Sequence, residues 1–479
     1  MHKKFFSNLI LLLVLNLLVK PLAIFGIDAS VQNSVGAYEY GIYFSLLNLS
    51  FLFNIIMDIG INNFTTTNIS RHPHLASKYL GKLFNLRIIL FALYAIITIF
   101  VGISIGYKGQ GLYLLLILIF NQWIVTLIAY CRSHFGGLQL FKTDALISVL
   151  DKIILIIIAG YVLFLKTTEA SFKIEWFIWM QTISYFLTFL TAAFLLIRNI
   201  GIPKIKFEWV FSWAILKKSF PYALLILLMM VYTRTDAVML ERIHQNGAYE
   251  AGVYALGFRL LDAFFMFGMI FANLLLPLFS KLVKENSSSV FELLKTSRNL
   301  LVGGAILATF VCLGNAQFIL SLIYNENIAE AASCLEWLMA GFVGMCISLI
   351  YGTLLTAKGD LKFLNQISVV GIVLNIILNA LLIPRYGATG SAFATFITQS
   401  FTALSQAIYC HALFKFKFKL SEFMRFCLLI SLQLIILLAF KDNPFLLLIQ
   451  LVFGGFCLVL LKFIDLKVIF LSMKSTAAT

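Results

Sequence analysis

The residues of this chain best able to do chemistry are charged side chains set inside long apolar runs. Lys20 and Asp28, then Asp58, fall in the first two runs; Arg234 and Asp236, then Arg259 and Asp262, fall in two runs past the middle. A charge at the centre of a bilayer-spanning helix costs about 2.5–3.5 kcal/mol on insertion scales, so it normally faces a wet cavity or a partner. Ser50, Asn54, Asp58 and Asn62 recur at steps of four, which predicts one polar stripe along a helix. Arg259 and Asp262, three apart, share a helical face, whereas Arg234 and Asp236, two apart, diverge by roughly 200°. Uncharged stripes follow the same spacing: Gln181, Ser184, Thr188 and Thr191 in one run, Thr395, Gln399, Thr402 and Gln406 in another. The candidate binding set is therefore Lys20, Asn54, Asp58, Gln181, Arg234, Asp236, Arg259, Asp262 and Gln399. Cations opposed by carboxylates in one cleft would suit an anionic ligand, and arginine matches phosphate geometry. The carboxylates would hold those cations when the cleft is empty, or bind a coupling cation. Two other readings stay open: polar groups that bond between helices and only glue a bundle, and, for Asp28 near a run's end, a side chain that reaches water.

Membrane helices must position these groups. The chain has 479 residues, 61% of them hydrophobic and only 12% charged, where a soluble protein would carry about 25%. Apolar runs of 18 or more residues recur from end to end, as bilayer-crossing helices require, and strands of a membrane barrel would be short and alternating instead. Fourteen spans are predicted, near residues 5–27, 40–64, 87–107, 112–131, 145–165, 176–197, 220–241, 252–278, 300–323, 335–357, 366–384, 389–413, 425–440 and 445–464. The short basic head Met1 to Lys4 precedes the first run with no small-residue cleavage site after it, so that run is read as an uncleaved helix. The last two spans lack a polar stripe and are expected to face lipid or to be accessory.

An octapeptide occurs twice, as Gly36-Ala37-Tyr38-Glu39-Tyr40-Gly41-Ile42-Tyr43 and as Gly247-Ala248-Tyr249-Glu250-Ala251-Gly252-Val253-Tyr254. A second echo sets Lys142 five residues before Ile147-Ser148-Val149 and Lys362 five residues before Ile367-Ser368-Val369. Repeats fix architecture. These predict an all-α protein of two six-helix bundles, residues 1–198 and 220–414, joined by a cytoplasmic linker over 199–219 and followed by two further helices and a tail over 415–479. An even number of spans per copy sets both copies in the same orientation, with a pseudo-two-fold along the membrane normal.

The net charge of +15 has its origin in the loops rather than in nucleic-acid binding. Of the 36 Lys and Arg, about 26 fall on the side of the N-terminus and about 6 on the other, which makes both termini cytoplasmic by the positive-inside rule. The seven cysteines are scattered, mostly in apolar runs and without a CxxC, and are read as buried small hydrophobes. His72-Pro73-His74 has no third ligand, so no metal site is expected. No Ser–His–Asp arrangement, Walker motif or phosphate-binding glycine loop stands out, the outer loops are short, and an enzyme is not expected.

A family resemblance rests on particular residues. Asn375-Ile376-Ile377-Leu378-Asn379 followed by Ile383-Pro384-Arg385-Tyr386-Gly387-Ala388-Thr389-Gly390-Ser391-Ala392 resembles a late motif of the polysaccharide-biosynthesis (O-antigen and exopolysaccharide) flippases of the MOP superfamily. The two octapeptides are similar to that family's entry into spans two and eight, Asp58-Ile59-Gly60 to its "D-x-G", and Arg234 to Leu240 to its polar seventh span. The match departs after Asp58-Ile59-Gly60, where many members soon have a basic residue and this chain has none before Arg71. The resemblance implies a flippase that moves an undecaprenyl-diphosphate-linked oligosaccharide from the cytoplasmic to the periplasmic leaflet of the inner membrane. It implies no cofactor and a functional link to glycosyltransferases and a polysaccharide polymerase. A cation-coupled multidrug exporter of the same superfamily is the alternative, kept in play by Asp28, Asp58, Asp236 and Asp262.

Overall fold

A computed structural model describes residues 14–165, 172–202, 208–285, 287, 289–416, 419–441 and 443–463. The basic head Met1 to Lys4, the linker lysines Lys204 and Lys206, and the tail beyond residue 463 lie outside the described residues. The described chain is helical almost throughout. In chain order the helices are α1 (Val14–Leu52), α2 (Ile61–Arg71), α3 (Ala76–Ser104), α4 (Gly109–Gly137), α5 (Phe141–Gly160), α6 (Ile174–Ile200), α7 (Trp209–Ile243), α8 (Gly247–Lys284), α9 (Ser289–Ser321), α10 (Ile328–Lys358), α11 (Leu361–Leu413), α12 (Leu420–Ala439) and α13 (Leu446–Leu460).

Among the described residues, 11 helices are long and apolar enough to cross a membrane. Two of them hold two spans each. In α1 the helix is interrupted at Gly36 (φ 78°, ψ 169°), and in α11 at Gly387 (φ 50°, ψ −130°); both dihedral pairs are open to glycine and closed to most other residues. With the shorter apolar helix α13 this makes fourteen spans among the described residues, the first of them described from Val14. Large apolar side chains left exposed, such as Ile96, Phe100 and Ile103 on α3, are what a hydrocarbon solvent permits, while every backbone polar group in it must be bonded internally.

By contacts the chain divides into two compact units, residues 1–255 with 323–326, and 256–322 with 327–479. In the first, the two copies of the octapeptide meet each other. A Cβ at Gly41 would run into the carbonyl oxygen of Ala248, and a Cβ at Gly252 into that of Ala37. The contact is reciprocal: the glycine of each copy takes the alanine carbonyl of the other, the pattern of a local two-fold. Gln32 strengthens it by donating from Nε2 to the Gly252 carbonyl at 2.9 Å. Small residues let helices approach this closely in lipid, where dispersion and hydrogen bonds drive association.

The second unit uses the same device between α10 and α11. A Cβ at Gly344 would sit 2.9 Å from the Gln399 carbonyl carbon, and one at Gly341 3.2 Å from the Phe396 Cα. The late motif closes the α11 hairpin: Ser391 Oγ donates to Asn379 Oδ1 at 2.8 Å, and Asn379 Nδ2 donates to the Asn375 carbonyl at 3.0 Å. The last two spans are more than lipid-facing. Glu422 on α12 sits between Lys295 Nζ (3.0 Å) and Arg298 Nη2 (2.5 Å) of α9. On α13, Gln450 accepts from Asn315 at 2.8 Å and donates to the Phe310 carbonyl at 3.0 Å. These single polar residues escaped a search for stripes, yet each anchors a whole helix.

Gly41→Ala should lower the thermal midpoint of the detergent-solubilised protein by the cost of overpacking against backbone, about 1–3 kcal/mol. Gly304→Ala, where nothing lies within 4 Å of the added Cβ, should leave the midpoint unchanged or raise it slightly. Equal effects of the two substitutions on melting would contradict the close-approach account.

Candidate functional site

The polar stripe expected on the second span does not run along one helix. The α-helical path of α1 ends at Leu52, a 3₁₀ turn covers Asn54–Met57, and Ile59 (φ 38°) and Gly60 (φ 79°) take left-handed backbone before α2 begins. A Cβ at Gly60 would come within 2.8 Å of Ser219, so both its conformation and its neighbour require glycine. The break aims Asn54 and Asp58 at different helices. Asn54 Nδ2 donates to Gln122 Oε1 on α4 at 2.7 Å, and Gln122 donates to Ser50 Oγ at 3.4 Å.

Asp58 has two tasks. Its Oδ1 accepts from the Asn62 backbone N–H at 3.1 Å, capping α2, and from Arg87 Nη2 at 2.9 Å. Arg87 is 0% exposed. Its Nη2 also donates to Asn62 Oδ1 at 2.6 Å, and its guanidinium carbon stands 4.3 Å from the centre of the Tyr130 ring. Arg87, at the start of the predicted third span, was not among the candidate residues. The available signal was that an acid ending one span and a base starting the next face each other in an antiparallel pair.

Lys20 is half-buried on α1, and the charges acting on it are Arg132, Lys152 and Asp151. Arg132, at the end of α4, pairs through Nε with Asp144 Oδ1 at 2.7 Å, and its Nη2 lies 3.4 Å from Oδ2. Lys152 on α5 lies 3.1 Å from Asp151 Oδ2, and its Nζ donates to the Tyr185 hydroxyl at 3.5 Å. Asn16, one turn before Lys20, donates to Ser148 Oγ at 3.0 Å and pins α1 to α5. Arg132 and Lys152 are thus each paired with a carboxylate, and both of them, with Asp151, act on Lys20. Arg132 and Lys152 were not in the predicted set; their charge was visible in sequence but their shared neighbourhood was not.

Arg234 and Asp236 lie on α7 in the first unit. Arg234 Nη1 donates to Asn48 Oδ1 at 3.3 Å, and its guanidinium carbon lies 5.5 Å from the Phe51 ring centre. Asp236 is buried, and Oδ2 accepts from the Tyr254 hydroxyl at 3.2 Å. Gln181 is buried on α6 and donates to the Tyr43 hydroxyl at 2.9 Å. In the second unit Arg259 and Asp262 are half-buried one turn apart on α8, and Gln399 is buried on α11 beside Gly344.

The family model described as polysaccharide biosynthesis protein matches residues 5–283, and the MatE model matches residues 221–381. An uncharacterized membrane protein of Methanocaldococcus jannaschii is 28% identical over 190 residues, covering 39% of this chain. The chain spans less than half the length of that relative, 43%. Among solved structures, the lipid II flippase MurJ in an inward closed conformation is similar with a TM-score of 0.72 at 18% identity, over 95% of this chain and 98% of that one. An inward-facing multidrug resistance MATE family transporter of the MOP superfamily is similar with a TM-score of 0.64 at 13% identity, over 82% and 94%. A MOP superfamily transporter from Pyrococcus furiosus gives 0.56 at 13% identity, over 85% and 94%. At these identities the likeness is one of fold.

Removing Asp58 should cost about 3–5 kcal/mol, because the Arg87 charge stays fully buried. Asp58→Leu alone should therefore fold poorly, and Asp58→Leu with Arg87→Met should recover a large part of the lost folded yield in size-exclusion chromatography. A double variant no better than the single one would show that the charge left behind is not the cause.

Proposed function

The chain belongs to the polysaccharide biosynthesis protein family, and we propose that within it the protein is a flippase for an undecaprenyl-diphosphate-linked oligosaccharide. It carries the head group from the cytoplasmic to the periplasmic leaflet of the inner membrane by alternating access, with both termini in the cytoplasm. The observation that supports this most is the cluster of Lys20, Arg132 and Lys152 around Asp144 and Asp151. A diphosphate is the anion such a cluster suits: arginine bonds phosphate oxygens through a planar fork and lysine neutralises as a point charge. The resident carboxylates keep the cations paired while no ligand is present, which lowers the cost of holding them in lipid. Arg234, next to Asn48, is the second cationic position on the path of the head group. Asn54, Asp58 and Asp236 act by fixing helix ends and neighbours, and Gln181 offers its wall to sugar hydroxyls. The work is transport rather than catalysis. Glycosyltransferases supply the cargo and a polymerase consumes it.

A second reading is a cation-coupled exporter of the MATE type. It is favoured by the match of the MatE family model to residues 221–381 and by the buried Asp236–Tyr254 pair.

The two readings separate in a host whose surface polysaccharide depends on this gene. Lys20→Ala and Arg132→Ala each remove a charge-assisted contact worth about 1.5–3 kcal/mol, so surface polysaccharide should fall about tenfold or more at unchanged protein level. Full export by both variants would overturn the flippase reading, and drug resistance that follows expression while surface sugar stays constant would favour the exporter.

A further inference from the structure

Beside the turn between α3 and α4, the first unit holds a pocket of about 400 Å³ that the cation cluster does not share. Its size falls in the range of small-molecule sites, roughly 300–1,000 Å³. The floor is a fixed polar network. Tyr107 donates its hydroxyl to Glu241 Oε2 at 2.9 Å, Ser45 Oγ lies 2.9 Å from the same hydroxyl, and Arg242 Nε lies 2.7 Å from Glu241 Oε2. The Arg242 guanidinium carbon covers the Tyr107 ring at 3.5 Å. Tyr107 lies in the turn between α3 and α4, and burial with Glu241 beside it pushes its phenol up from the usual range, so the hydroxyl stays protonated and donating.

The rim is different in kind. Tyr38 is 63% exposed, and Glu39 and Lys108 are exposed beside it. Gln110 donates to Glu175. The turn itself is built on Gly106 (φ 97°) and Gly109 (φ 53°), with open space around Gly109. The network holds its members before any ligand arrives, which spares the entropy of ordering them. Acceptors and donors alternate within it, and the formal charges of the lining residues Glu39, Lys108, Glu241 and Arg242 cancel, Glu175 standing behind Gln110 outside the lining. An exposed aromatic ring next to preorganised, charge-balanced polar groups fits a ligand with many hydroxyls, an apolar ring face and no net charge.

We propose that this pocket is a carbohydrate site: it takes a neutral sugar of the cargo's head group, with Tyr38 against the ring face and Glu39 and Arg242 on its hydroxyls. The assignment rests on the flippase reading for its biological ligand, and on the pocket alone for its chemistry. It places sugar recognition at the face where the head group leaves, apart from the cations that take the diphosphate. The glycan would then be read where it exits, and the diphosphate inside.

The test uses the full-length protein in nanodiscs and saturation-transfer NMR with lactose, cellobiose and N,N′-diacetylchitobiose as neutral probes and galacturonic acid as the anionic one. At least one neutral disaccharide should show transfer, reduced fivefold or more by Tyr38→Ala and by Glu39→Ala, two exposed positions whose truncation spares the fold. Lys20→Ala should leave that transfer unchanged. No transfer from any neutral probe, transfer indifferent to Tyr38 and Glu39, or a response to galacturonic acid alone would overturn the proposal. Flipping of a lipid-linked oligosaccharide in proteoliposomes is measured in parallel. Flipping without sugar binding removes this pocket and spares the flippase; sugar binding without flipping supports the pocket and removes the flippase.

Discussion

The reciprocal close approach of Gly41 to Ala248 and of Gly252 to Ala37 is the constraint on which the first unit depends. Backbone meets backbone there, so no side chain can yield to relieve a clash. In lipid this matters more than in water, because helices gain little from hiding apolar surface and must earn their association by packing and hydrogen bonds. The crossing fixes α1 against the start of α8. From that fixed point α1 runs one way to Lys20 and Asn16, and the other way to Asn48, Phe51 and the break at Asn54–Gly60. Every polar group of the first unit discussed above either lies on α1 or bonds to a helix that α1 touches.

The second feature is the treatment of charge. Arg87 is fully buried yet paired, bonded and covered by a ring; it belongs to the scaffold. Lys20, Arg132 and Lys152 are only part-buried, share two carboxylates among three cations, and sit near one another despite repulsion. The same residue types therefore serve two ends, and the number of partners separates them. A structural ion pair satisfies itself, whereas the proposed binding cluster would retain positive charge for a ligand to neutralise.

Much of this was legible in the sequence. Helical class and the fourteen spans follow from run length and hydropathy, since lipid admits few alternatives. The duplicated octapeptide was visible as a repeat, though not that its copies pack on each other: spacing along a chain carries no information on which copy meets which. The stripe through Ser50, Asn54, Asp58 and Asn62 was misread because i+4 spacing implies one face only if the helix is unbroken, and Gly60 in Asp58-Ile59-Gly60 was the residue that marked the break. Arg87, Arg132 and Lys152 were not among the candidates, because the charges they meet or act on (Asp58 for Arg87, Lys20 for Arg132 and Lys152) lie on other helices. Glu422 and Gln450 were passed over for the same reason: one polar residue makes no pattern, but in hydrocarbon it needs a bond.

The account stands or falls on recognition of a diphosphate by a cationic cluster within the first unit. The most direct measurement is native mass spectrometry of the purified protein with undecaprenyl diphosphate, undecaprenyl phosphate and undecaprenol at equal concentration. The account predicts retention in that order, with the advantage of the diphosphate lost when Lys20, Arg132 and Lys152 are all replaced by glutamine. Equal retention of all three lipids, or a preference for the diphosphate that survives the triple replacement, would contradict it.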